Sequence, residues 1–76
     1  MYVVIEIQKN HGKIITHTNA YDVKNQAENK FYSILAEAAT SDIEVHSAVI
    51  LTEEGYIDKC QSYKHSEEDV QEKGIK

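Results

Sequence analysis

The sequence predicts an α+β domain in ββαββ order, with a four-stranded, mainly antiparallel sheet and one helix packed on one of its faces. Three observations predict it. Apolar residues alternate with period two from Tyr2 to Gln8 and again from Glu44 to Thr52. Between those runs the spacing changes to the i, i+4, i+7, i+8, i+11 stripe Ala27, Phe31, Ile34, Leu35 and Ala38, one face of an amphipathic helix. A polar, glycine-bearing segment follows each alternating run, where a hairpin would turn.

In the first run Val3, Ile5 and Ile7 point one way, and Tyr2, Val4, Glu6 and Gln8 the other. Both sides are apolar near its start, which marks a central strand. Lys9 to Lys13 form the loop, with Asn10 and Gly12 able to take positive φ. Ile14 to Asn19 are β-branched and threonine-rich but weakly patterned, as an exposed edge strand would be. Asp22 or Asn25 is the expected N-cap, the latter with Glu28 as a capping box, and Thr40, Ser41 and Asp42 end the helix. Val45, Val49 and Leu51 then alternate with His46, Ala48 and Ile50 in a second central strand. Glu53, Glu54 and Gly55 form a turn, and Tyr56 to Tyr63 the return strand. Residues 64–76 are charged and without periodicity, so they read as a disordered acidic tail behind a domain of residues 1–63.

A chain of 76 residues holds one core, and a small one that needs support from a metal or from association. Disulfides are excluded because Cys60 is the single cysteine, which also suits a reducing compartment and a cytoplasmic location. No apolar stretch is long enough for a signal peptide or a membrane span, and the N-terminus is expected to belong to the fold. The net charge of −5 argues against direct contact with nucleic acid.

One helix covers one face of a sheet, yet both central strands are apolar on two faces. If Val3, Ile5, Ile7, Val45, Val49 and Leu51 face the helix, then Tyr2, Val4, Ala48 and Ile50 form the uncovered face. A one-residue slip exchanges the sets. A homodimer joined by this face or by strand edges is the simplest way to bury it.

Chemistry-bearing residues are scattered. His11, His17, His46, Cys60 and His65 show no paired metal-ligand spacing, so no metal or cofactor is expected. Cys60, His46 and Asp58 could form a nucleophilic set on paper, with Asp58 and Cys60 on one strand face by period two. No oxyanion-hole motif accompanies them, and the chain reads as a non-enzyme. Glu53, Glu54 and Asp58, with Asp42 and Glu44 nearby, make an acidic spot that suits either plain solvation or a basic protein groove. Tyr2, Tyr21, Tyr32, Tyr56 and Tyr63 suit core rims and interfaces equally. The candidate binding residues are therefore Tyr2, Val4, Ala48, Ile50, Glu53, Glu54, Tyr56 and Asp58.

The segments MYVVIEIQ, AYDVKNQAENKFYSILAEAA, VHSAVILTEEGY and SYKH resemble a family of short uncharacterised proteins of gut Firmicutes and their prophages and conjugative elements. The resemblance covers Met1 to about His65 and implies a genetic context, with no catalytic or ligand residue to carry over. Small acidic proteins of mobile elements often inhibit host defence, and by that analogy of context and size the expected function is an anti-CRISPR-like inhibitor acting by protein contact. The alternatives are a structural or regulatory adaptor of the element, and a dimeric sponge for a small molecule.

Overall fold

The computed structural model describes residues 1–65. Strands β1 (Tyr2–Asn10) and β2 (Lys13–Tyr21) form a hairpin, helix α1 (Lys24–Thr40) crosses the sheet, and β3 (Val45–Thr52) and β4 (Ile57–Lys64) form a second hairpin. The sheet order is β2-β1-β3-β4, and every neighbouring pair is antiparallel. This is the α+β fold expected from the sequence. The two strands with apolar residues on both sides are the central pair, and β2 is an exposed edge.

The first hairpin turns more tightly than its polar segment suggests. Asn10 pairs with Lys13, leaving only His11 and Gly12 in the loop, at φ 53° and 80°. Positive φ at both central positions gives the type I′ hand that matches strand twist. Glycine accepts it freely, whereas His11 adopts it against the steric cost of its Cβ.

Helix α1 buries Ala27, Phe31, Ile34, Leu35 and Ala38, the stripe legible in the sequence. Its start differs from expectation: Val23 is the N-cap, with no side-chain cap bond, so neither Asp22 nor Asn25 plays that part. The Gln26 and Ala27 N–H groups both donate to the Val23 carbonyl, at 3.1 and 3.3 Å. At the other end the Ser41 N–H donates to the Ala38 carbonyl at 3.4 Å.

The helix takes the opposite sheet face from the one first assigned. Val4, Ala48 and Ile50 are each 0% exposed and pack with Phe31, Ile34 and Leu35. Tyr2, Tyr21 and Tyr63 stand at the rim of that cluster, where the rings pack and the hydroxyls can meet water. Val4, Ala48 and Ile50 therefore belong to the core and Tyr2 to its rim, and the alternate set Val3, Ile5, Ile7, Val45, Val49 and Leu51 lies on the uncovered face. Period two separates two sets of side chains; only helix docking decides which set is inside.

A bulge corrects the second hairpin. Ile50 pairs with Lys59 and Leu51 with Ile57, leaving Asp58 as the extra residue. Asp58 and Cys60 consequently part company. Asp58 Oδ1 lies 3.9 Å from Lys24 Nζ on α1, whereas Cys60 pairs with Val49 on the uncovered face. β4 also runs past Tyr63 to Lys64, and the His65 N–H donates to the Glu44 carbonyl at 2.7 Å. The rest of the expected tail, residues 66–76, lies outside the described residues.

Candidate interaction surface

The uncovered sheet face is built from residues whose side chains alternate away from α1. Its centre is an apolar strip of Val3, Ile5 and Ile7 from β1 with Val49 and Leu51 from β3, paired in register Val3↔Leu51 and Ile5↔Val49. All five are half-buried, shielded by sheet neighbours alone, since no described element packs over them. Thr16 and Thr18 border the strip on β2, and Cys60 and Ser62 on β4. At one end Ile14, Lys9, Val45 and Lys64 close it as one cross-strand row. At the other end lie Ala20 and Ile57, the latter 64% exposed.

The charge distribution is the informative feature. Among the described residues this face carries lysines but no aspartate or glutamate, on a chain whose net charge is −5. A solvated sheet face normally alternates apolar-in with polar-out. Here the outward set is mostly aliphatic, threonine, serine and cysteine, with Lys9 and Lys64 at one end, so an apolar patch is left open to water.

The expected acidic residues group beyond the Leu51 end. Glu53, Glu54 and Tyr56 are exposed in the β3–β4 turn, Tyr56 at 73%, with Gly55 at φ 94° closing the turn. The Thr52 N–H donates to the Tyr56 carbonyl at 2.8 Å and the Tyr56 N–H to Thr52 Oγ1 at 3.2 Å, so the turn is well ordered by its own bonds. Glu53 Oε1 accepts from the Met1 amino group at 2.6 Å, and that bond holds the Glu53 carboxyl below its usual range. Asp58 is drawn aside toward Lys24.

A polar cluster under the C-terminal end of α1 was missed by sequence reasoning. His46 Nε2 donates to Glu6 Oε2 at 2.6 Å, and its Nδ1 faces the Ser41 hydroxyl at 3.2 Å. Gln8 Nε2 donates to the same Glu6 oxygen at 2.9 Å. Burial pushes the Glu6 carboxyl up, but the hydrogen bonds from His46 and Gln8, with the fields of His46 and His17, outweigh it and hold the carboxyl below its ordinary range. Nearby, His65 Nε2 donates to the Ala38 carbonyl at 2.8 Å, and its ring stacks on Tyr63.

The series Ser41, His46, Glu6 has the order of a hydrolytic triad but the wrong surroundings. Ser41 sits at the negative end of a helix, its hydroxyl 3.4 Å from the Ala38 carbonyl, and its N–H donates to that same oxygen. An oxyanion formed there would meet a carbonyl instead of a donor. The arrangement suits fastening the end of α1 to β1 and β3. The Cys60, His46 and Asp58 set is dispersed: His46 lies under the helix, Cys60 on the opposite sheet face and Asp58 beside Lys24.

Among the described residues no group of three or more His, Cys, Asp or Glu side chains is placed to hold a metal ion. An open depression of about 440 Å³ lies beside the first turn, lined by Gln8, Asn10, His11, Lys13, Ile15 and Ile43. No described helix is long and apolar enough to cross a membrane. No protein-family model, curated protein or solved structure matches the chain.

Proposed function

We propose that this chain is a non-catalytic binding module that acts by protein contact through the uncovered face of its sheet. The observation that carries the reading is the apolar composition of that face, free of carboxylates among the described residues, on an otherwise acidic chain. Burial of Val3, Ile5, Ile7, Val49 and Leu51 against another protein supplies slow dissociation, and Glu53 and Glu54 at the rim steer a basic surface toward it. The finer form of the proposal is inhibition of a host-defence component such as a CRISPR nuclease. It draws on the resemblance to proteins of mobile elements and on the acidic charge, which complements a nucleic-acid groove.

The test is a plasmid-interference assay in a host with an active CRISPR system, with affinity capture from the same host. Wild-type protein should protect the plasmid, and Ile5→Asp and Val49→Asp should abolish protection while circular dichroism shows the fold retained. Capture of a conjugation or phage structural protein without protection would shift the function to the adaptor. Stoichiometric retention of a small metabolite with no captured protein would favour the sponge. Unchanged partners and activity in both Asp variants would refute contact through this face.

A further inference from the structure

The uncovered face needs an occupant, and we infer that it is a second copy of this chain, packed face to face with β1 antiparallel over β1 and the two-fold axis lying across the strands. The inference rests on the binding-module reading and names what covers the face in the free protein, where a target would have to displace the second copy.

The face's charge permits a second copy there and sets its orientation. Two copies each of net charge −5 repel over most of their surfaces, but among the described residues the sheet face brings no carboxylate against another. Its two ends differ. Lys9 and Lys64 flank Val45 at one end, while Asp22, Glu53 and Glu54 lie just past the other, at the ends of β2 and β3. Asp42 and Glu44 are at the lysine end too, in the loop descending from the helix layer on the far side of the sheet.

A two-fold axis along the strands would lay the lysine row of one copy on that of the other. An axis across the strands lays it instead over the partner's Val3 and Leu51 end, within reach of the acidic rim. Ile5 then meets Ile7 of the partner subunit near the axis. The aliphatic stem of Lys9 covers the partner's Val3 while its ammonium extends toward the partner's Glu53 and Glu54.

The area suffices. Strands of eight or nine residues, in a sheet of four, give a face about 19 Å by about 27 Å at ordinary strand spacing and rise. Two such faces remove about 1,000 Å² together before side-chain relief is counted, which meets the lower threshold for a specific interface and suits a dimer that dissociates on dilution. The chain's own segment 66–76 is a poor occupant, since Val70 and Ile75 are its only aliphatic residues among many charges.

Multi-angle light scattering and sedimentation of the full chain, from low to high micromolar, test the inference. A dimer that dissociates on dilution is expected, with Ile5→Asp and Val49→Asp monomeric and folded. Lys9→Glu with Lys64→Glu should weaken the dimer at least tenfold, and adding Glu53→Lys with Glu54→Lys should restore it. A monomer at every concentration, or a dimer indifferent to Ile5→Asp, would overturn the inference. So would failure of the charge exchange to restore association. Monomeric wild type whose Ile5→Asp variant still loses a captured target would leave the binding-module reading standing. A variant that keeps both mass and target would defeat both.

Discussion

Replacing Ile50 by alanine should cost far more stability than replacing its neighbour Val49, although the two are adjacent in one apolar run. Ile50 is 0% exposed beneath α1, so truncation removes buried methyl groups and leaves a cavity, a loss of about 2–5 kcal/mol. Val49 is half-buried on the uncovered face, and its truncation in the free monomer should cost below about 1 kcal/mol. A domain of this size has total stability of roughly 3–10 kcal/mol, so Ile50→Ala should remove a large fraction of it. Urea melts followed by circular dichroism measure both, with unchanged slope confirming that the native state is the same. Measured at two protein concentrations tenfold apart, the Ile50 loss should be constant, whereas the Val49 loss should grow at the higher concentration as association buries its side chain. Equal losses at both positions, at both concentrations, would refute the assignment of faces.

Other outcomes follow from single residues. Val23→Asp should stabilise the domain by about 1 kcal/mol, because α1 begins without a side-chain cap and without an acidic residue in its first turn; a thermal melt reads this as a higher Tm. His11→Asn should add roughly 0.5–1 kcal/mol by placing an Asn-Gly pair in the type I′ turn that now strains His11 at φ 53°, seen in the same melt. The folded-state pKa of Glu6 lies below its ordinary value of 4.5, so its contribution to stability is complete above about that pH and is lost as pH falls through the folded value. Unfolding free energy measured from pH 7 down to pH 2 should therefore fall less steeply on the acid side for Glu6→Gln, which is also less stable at neutral pH. Cys60, exposed and the only cysteine, should react fast with a thiol reagent in dilute solution and more slowly at concentrations where the sheet faces pair.

Much of the fold is legible in the chain because it is written in local periodicities. The stripe of Ala27, Phe31, Ile34, Leu35 and Ala38 names the buried side of α1 without reference to anything else, since helix geometry alone brings those positions to one face. Likewise, apolar residues on both sides of β1 and β3 require neighbours on both edges, which makes them central. Asn-X-Gly and Glu-Glu-Gly place the turns by the steric freedom of glycine, although only the pairing of Asn10 with Lys13 shows how few residues the first loop contains.

The candidate surface depends on relations the chain does not carry locally. Val3, Ile5 and Ile7 are as apolar as Val4 and its neighbours, so the choice between faces waits on where α1 docks and how Phe31 fits over Ala48 and Ile50. The pairing of Glu6 with His46 spans 40 positions and exists only once β1 and β3 settle in register. The bulge at Asp58 overrides period two, turning a residue that alternation would align with Cys60 toward Lys24 instead. By itself the sequence determined the elements, their order and the existence of an uncovered apolar face, because each follows from spacing along one segment. Only the tertiary structure decided which of the described residues form that face and that no carboxylate is among them, because side-chain placement across a sheet is set by register and docking between segments.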